Sequence, residues 1–459
     1  MSPAAAAPAT QQILDLVRKS EHQKVRVAVA DIDGILRGKY LHKDKFFGAA
    51  EGGFGFCDVV FGWDCGDVAY EGNTFTGWHS GYPDALARID LSTYRTVPWN
   101  QDVPFFLGEF VDSNGAPLYV CPRQLLKKMV AKGEAMGFDA KYGMEFEWFN
   151  FKETAQSWHS KGYMNPEPLT PGMFGYSIIR STQNQDFFMA LMDEMRKFGV
   201  PVEGLHTETG PGVYEAALLY SGAVEAADRA VLFKTGAKEI GQRFGIMPSF
   251  MAKWNASLPG CSGHVHQSLA DRESGKNRFY DEKAPHKMST EFKQFVAGQL
   301  ALLPEVLAFF APTINSYKRL VDGYWAPTKV TWGVENRTTA LRVIPGSSKS
   351  TRLETRVPGA DCNPYLAMAA ALGAGLYGIE RKLELKHAPI QGNGYAVTDA
   401  VKLPGSLQQA ADKLAESKAA KEIFGEKFVR HFVETRYWEW KKYQEAVTQW
   451  ELQRYFEII

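Results

Sequence analysis

The sequence predicts an α+β protein, with a small strand-rich N-terminal domain followed by a large catalytic α/β domain. Two observations predict this class. Up to about Val111, short apolar runs are punctuated by turns, whereas beyond it strand-like runs alternate with longer helical patterns. A hydrophobic content of 45% over 459 residues supplies a sizeable core, enough for two domains.

Taken in order, residues 1–10 are rich in Ala and Pro and lack a basic n-region, the composition of a disordered tail and not of a signal peptide. Gln11 to Lys24 sets Ile13, Leu14 and Val17 on one face of a short amphipathic helix. Val25 to Leu36 reads as a strand and turn. Asp112-Ser113-Asn114-Gly115 is a strong turn signal, and the domain boundary is set there, giving 1–111 and 112–459. Pro122 to Met136, Gln183 to Phe198 and Gly222 to Phe244 read as helices. Asn363-Pro364 opens a long Ala-rich helix running to Leu383. Ser406 to Ile459 reads as a charged helical run packed down by Trp438, Trp440, Tyr443 and Trp450.

The bulk numbers exclude several classes. Formal net charge is zero, which argues against nucleic acid and against an anionic membrane surface. The five cysteines lie far apart with no CxxC pair, so neither a zinc ribbon nor a disulfide framework is indicated, and a reducing cytoplasm is expected. The longest apolar stretch, Leu300 to Ala311, is broken by Pro304 and Glu305 and is too short to cross a bilayer.

The chemistry lies in four scattered runs: Glu145-Phe146-Glu147; His206-Thr207-Glu208 with Glu215; His264-Val265-His266; and Arg352-Leu353-Glu354-Thr355-Arg356. Most carry polar residues at i and i+2, which point to one face of a strand. Each run alone also fits a solvated strand or a surface ion-pair ladder. Together, five carboxylates with His264 and His266 suit divalent cations. The nearby Arg337, Arg342, Lys349, Arg352 and Arg356 suit phosphate. No Walker A motif exists, so a nucleotide is not held by a P-loop.

In order and wording these motifs resemble the glutamine synthetase family. Ser262 to Leu269, Asn315 to Leu320, Asn336-Arg337-Thr338 and Asn363 to Leu366 add to the match, which spans Glu145 to Leu366. The N-terminal region resembles the family's β-grasp domain more weakly. The resemblance implies an ATP-dependent ligase acting on L-glutamate through γ-glutamyl phosphate, with two or three Mg²⁺ or Mn²⁺ ions. Glu147, Glu208 and Glu215 would hold one metal; Glu145, His264 and Glu354 would hold the second. His266, Arg342, Lys349 and Arg352 match nucleotide contacts, and Arg319, Arg356 and Gly260 match glutamate contacts. Arg337 matches the arginine that steadies the transferring phosphoryl group, so Arg337 and Glu354 join the catalytic set. A homo-oligomer of two stacked hexameric rings, with sites between neighbouring subunits, is also implied.

Departures from the family bear on the nitrogen donor. Ammonia-using members carry a glutamate in the loop that here reads Asp322-Gly323-Tyr324-Trp325-Ala326-Pro327, and Trp325 stands in its place. An indole accepts no proton and offers an apolar wall or a cation–π face. Near the family's ammonium-site aspartate this chain reads Gly62-Trp63-Asp64-Cys65. Asp64 is the expected proton acceptor, and Trp63 a second ring beside it. The expected acceptor is therefore an organic amine, with a small apolar alkylamine or an arylamine ahead of a polyamine, which would favour a more acidic pocket. Ammonia remains the alternative. A non-catalytic structural member is disfavoured because all six metal ligands are present.

Overall fold

Alternation of valines with smaller residues sets the first layer. The computed structural model describes residues 7–459. β1 (Lys24–Ala30), β2 (Leu36–His42), β3 (Phe54–Cys57), β4 (Asp84–Val97) and β5 (Val103–Val111) form a sheet of order β2-β1-β5-β4-β3. β1 and β5 are parallel and the other pairs antiparallel. Val25, Val27 and Val29 face a small core under the helix Lys43–Gly52, where Phe46 stacks on Phe106 at 4.9 Å. Ala28, Ala30 and Ile32 belong to the large core instead. The sheet is thus covered on both faces.

The second sheet has nine strands: β6 (Phe138–Phe151), β7 (Val202–Thr207), β8 (Val213–Leu218), β9 (Ser221–Gly222), β10 (Met247–Ser249), β11 (Gly263–Asp271), β12 (Trp332–Val334), β13 (Leu341–Ile344) and β14 (Arg352–Thr355). Its order is β12-β13-β14-β11-β6-β8-β7, with β9 and β10 also pairing with β6. β6 is its spine. Met144, Phe146 and Trp148 are buried, the last two against Phe233 of the helix Ala223–Arg243, while Glu145 and Glu147 alternate with them. Behind it, Thr290–Phe310 packs on Pro364–Glu380. A Cβ at Gly298 would lie 2.2 Å from the Ala374 carbonyl, and one at Gly378 would lie 2.1 Å from that of Gln294, so only glycine permits this approach.

Two expectations change. The first helix is Ala7–Lys19: residues 7–10 of the expected tail are helical, and 1–6 lie outside the described residues. It stops early because the Arg18 and Ser20 carbonyls accept from Lys43 Nζ. The C-terminal run is four helices, Leu407–Glu416, Lys418–Phe424, Glu426–Glu445 and Gln449–Tyr455. Ser417 caps the second, and Gly425 at φ 97° separates it from the third. Trp438 is buried, but Tyr443 and Trp450 are exposed; Phe428 and Phe432, packed on Phe309, anchor the run with Trp438. Among the described residues no helix is long and apolar enough to cross a membrane.

The first sheet is tied to the helix Ala223–Arg243 by buried charge. Arg123, 3% exposed, pairs with Asp228 at 2.9 Å, Asp90 at 2.9 Å and Glu109 at 2.5 Å. Asp90 and Glu109 lie on β4 and β5, and Asp228 on the Ala223–Arg243 helix. Arg123→Met should lower unfolding stability by about 3–5 kcal/mol, because Asp228 stays buried without its cation while Asp90 and Glu109 keep Lys127; urea denaturation measures it, and a loss below ~1 kcal/mol would contradict the assignment.

Candidate active site

Strand register gathers the scattered runs. His264 on β11 lies opposite Glu145 on β6, and His266 opposite Glu354 on β14. Arg342 on β13 also faces Glu354. On the other side of β6, Glu147 faces Glu215 on β8, which faces His206 on β7. Directly opposed residues share a sheet face. The intervening positions serve the core: Val265 and Leu353 are fully buried, and Gln267 bonds to Tyr142 and Thr355.

Two groups could each hold a metal ion. Glu145, His266 and Glu354 form one, and His206, Glu208 and Glu215 the other, with ligand atoms in each group within 4.8 Å of one another. His264 Nδ1 lies 3.0 Å from Glu145 and 3.4 Å from Glu354, so it borders the first group. Glu147 accepts from the Ser262 N–H at 2.8 Å and stands across the register from Glu215. The Nε2 atoms of His264 and His266 are buried without a hydrogen-bond partner. Orphaned imidazole nitrogens beside hard carboxylate oxygens are the donor set a divalent cation satisfies.

Electrostatics differ between the groups. Burial works to raise Glu354, but the charges of His264, Arg356 and His266 outweigh it and hold the carboxyl at about 2. Burial likewise opposes ionisation of Glu145, yet His264 and His266 keep it well below the usual carboxylate range. Glu215 goes the other way: burial, with the charges of Glu145 and Glu147, pushes it up to about 8 against the bond to His206. The positive charge on that side is His206, which its bond to Glu215 raises to about 9 against the effect of burial.

Basic residues border the clusters. Arg342 donates to Glu354 at 3.0 Å and to Glu335 at 3.1 Å, a partner the sequence reading missed. Arg356 bonds to Glu354 and donates to the Arg337 carbonyl at 3.1 Å. Arg319, 2% exposed, donates to Val357 O at 2.8 Å, Ser262 Oγ at 2.7 Å and Arg356 O at 3.2 Å, which leaves part of its guanidinium fork free. Arg352 donates to His266 Nδ1 at 3.2 Å. Among the described residues, the side chains of Arg337 and Lys349 have no hydrogen bond or ion pair. A cavity of about 300 Å³ runs from Glu145 and His266 to Lys349 and Arg352. A Cβ at Gly260 would lie 2.4 Å from the Ala252 carbonyl and 2.8 Å from Arg319 Cγ, so Gly260 lies against that arginine.

Other expected residues stand differently. Trp325 is 56% exposed with φ 60°. Asp64 is not joined to the clusters by any hydrogen bond or ion pair among the described residues. Its Oδ1 accepts from the N–H groups of Gly66 and Val68, and its Oδ2 from the Trp438 indole at 2.8 Å. It closes a turn against the C-terminal helices. Trp63 lies under the Arg37 guanidinium at 5.2 Å. Two site residues escaped the sequence reading. His206 lay in a quoted motif but received no role. Tyr176 stacks on His206 at 4.3 Å, and the charges of Glu208, Glu215 and Arg337 reach it. It stands on an exposed loop with no periodic signal.

Comparison with known proteins places the chain in a family. The family model for the glutamine synthetase catalytic domain matches residues 119–455. The chain is 57% identical to the type-1 glutamine synthetase 2 of Dictyostelium discoideum, over 97% of this chain and 86% of that protein. It is 38% identical to the glutamate–isopropylamine ligase of a Pseudomonas species, over 98% of each. It is 36% identical to the γ-glutamylethanolamide synthetase GlnA4 of Streptomyces coelicolor, over 97% and 95%. Among solved structures, the GmaS–ADP complex superposes with a TM-score of 0.84 at 26% identity, over 97% and 99% of the two chains.

The Glu215–His206 pair must lose protons to bind a cation. With that carboxyl at about 8, Mg²⁺ binding at pH 7 should release protons, and apparent affinity should rise as pH climbs toward 8. Calorimetric titration in buffers of different ionisation enthalpy measures the release. Glu215→Gln should reduce it; a release near zero in the unsubstituted protein would contradict the assignment.

Proposed function

The chain belongs to the glutamine synthetase family, and from that premise we propose that it joins the γ-carboxylate of L-glutamate to an organic amine, consuming ATP and yielding a γ-glutamylamide, ADP and phosphate. The observation that carries the reading is two carboxylate–histidine groups on one sheet face, bordered by basic side chains with binding capacity to spare. Members of this family use ATP and divalent cations.

Glu145, His264, His266 and Glu354 would hold one cation, and Glu147, Glu208 and Glu215, with His206, the other; two or three Mg²⁺ or Mn²⁺ ions suit this oxygen-rich set. Bound there, the ions supply Lewis acidity and neutralise phosphate charge. Lys349 and Arg352 line the cavity beside Glu145 and suit the nucleotide phosphates. Arg342, tied to Glu335 and Glu354, holds Glu354 in place. Arg319, Arg356 and Gly260 form the glutamate end. The γ-carboxylate attacks the γ-phosphorus of ATP, ADP leaves, and an acyl phosphate forms. Arg337 carries no competing ion pair and meets the negative charge on the transferring group. The amine nitrogen then attacks the acyl carbon, the carbon–oxygen bond to phosphate breaks, and the nitrogen gives its proton to the departing phosphate.

The organic amine rests on Trp325. It is exposed on the loop where ammonia-using members place a carboxylate, and it offers neither charge nor a proton acceptor. The relatives named for isopropylamine and ethanolamide support this choice. A second reading, ammonia as donor, is favoured by the 57% identity to a protein named glutamine synthetase. The asymmetric exposure of the C-terminus supports a homo-oligomer, proposed as two stacked hexameric rings. The helix Gln449–Tyr455 buries none of its residues, and Trp450, Phe456, Ile458 and Ile459 are exposed.

ATP-dependent phosphate release with glutamate, Mg²⁺ and a panel of donors separates the readings. The panel holds ammonium, methylamine, ethylamine, isopropylamine, ethanolamine, putrescine and aniline. Preference for an apolar amine is expected. Preference for ammonium would overturn the argument from Trp325, and Trp325→Glu should shift selectivity toward ammonium by about ten-fold or more, the scale of one charged hydrogen bond. Removal of residues 448–459 should lower the mass measured by light scattering.

A further inference from the structure

Downstream of the long Ala-rich helix, residues 390–397 return to the arginines of the site. The segment is fastened at several points. Asn336 Nδ2 donates to the carbonyls of Ile390 at 3.0 Å and Gly392 at 2.8 Å. Gly394 N–H donates to Thr338 Oγ1 at 2.8 Å, and a Cβ on Gly394 would lie 2.7 Å from the Thr338 carbonyl. Lys329 Nζ donates to the carbonyls of Tyr395 at 2.6 Å and Val397 at 2.7 Å. Asn336 and Thr338 flank Arg337, whose carbonyl is held by Arg356. Tyr395 is therefore clamped from both sides against the segment that carries Arg337, the candidate phosphoryl arginine, which Arg356 bonds in turn.

The clamp leaves one group unsatisfied. The Tyr395 hydroxyl is buried and has no hydrogen-bond partner. A buried hydroxyl without a partner costs free energy of the order of 1–3 kcal/mol, so a fold that fixes one in place this firmly calls for a ligand that completes it. The charges acting on it are those of Arg356, Arg319 and Asp322, and the Trp325 amide faces it outside hydrogen-bond geometry. With two guanidinium groups against one carboxylate, its surroundings favour an anion over an alkylammonium ion. A tyrosine O–H donates to a carboxylate and stays neutral while doing so.

We propose that Tyr395 is a third, neutral anchor for a carboxylate of the acid substrate, acting beside Arg319 and Arg356; the inference rests on the ligase reading above. The hydroxyl would fix the orientation that two arginines alone leave free, and so favour glutamate over acids that lack a carboxylate at that place. Tyr395 binds substrate and takes no part in proton transfer.

Tyr395→Phe removes only the hydroxyl and keeps the ring that fills the clamp. KM for glutamate should rise about ten-fold or more, the size expected for losing a hydrogen bond to a charged group, with kcat and the KM values for ATP and the amine within two-fold. Equilibrium dialysis with radiolabelled glutamate gives a readout independent of turnover and should show the same loss. Thermal denaturation of Tyr395→Phe should match the unsubstituted protein. Unchanged glutamate binding would overturn the inference while leaving the ligase reading intact, as would a rise confined to the amine KM. Absence of glutamate binding and turnover in the unsubstituted protein would overturn both.

Discussion

Like charges crowded on one sheet face are the constraint on which the structure depends. Glu145, Glu147, Glu215 and Glu354 are brought opposite one another or opposite histidines by the pairing of β6, β8, β11 and β14. Partly buried carboxylates repel, and their ionised forms need positive partners or cations. The β14 side is answered within the protein: Arg342, Arg356 and His264 surround Glu354. On the β8 side a single imidazole, His206, faces both Glu208 and Glu215. The imbalance marks where a divalent cation is required most.

Such a face survives only on a rigid support. Phe146 and Trp148 alternate with the glutamates of β6 and pack against Phe233 and Phe250, so the strand cannot slip by one residue without burying carboxylates and exposing aromatics. Gln267, Tyr142, Thr355 and Gln299 form a closed polar network beneath His264 and His266. Buried ion pairs then join distant parts of the chain. Arg123 links the first sheet to the helix Ala223–Arg243, and Arg436 near the C-terminus bonds to Asp33 at 2.7 Å in the turn after β1. Asn363 caps the helix Pro364–Glu380 and also donates to the Ile32 carbonyl at 3.1 Å. These contacts tie the N-terminal sheet to the catalytic domain through polar groups that each lose a partner if the other moves.

Local signals read well where one residue's neighbours in sequence decide its place. Asn363-Pro364 specified a helix start because the cap and first-turn geometry are local. The i, i+2 spacing of the glutamates and histidines put them on one strand face for the same reason. Reading failed where a distant partner decides. The partners of Asp64, a turn and the indole of Trp438, carry no signal in the sequence around it. Tyr443 and Trp450 looked like packing residues, and they are exposed because Phe428, Phe432 and Trp438 already fill the contact with the core. Tyr176 reached the site on a loop whose course only the stack on His206 reveals.

By itself, the sequence determined the α+β class, the strand faces, the carboxylate and imidazole donors and the loss of an acid at Trp325. All but the last follow from residue chemistry and periods of two or 3.6; the last follows from the family resemblance. Tertiary structure decided which donors meet. Glu145 takes His264 as its neighbour across β11, Glu354 takes Arg342 and Arg356, and Glu215 is left with His206. It also decided that Asp64 is engaged elsewhere and that the Tyr395 hydroxyl is enclosed without a partner. The reason is physical: strand register and chain return are set by the packing of residues far apart in sequence, and charge compensation depends on distances that no spacing along the chain contains.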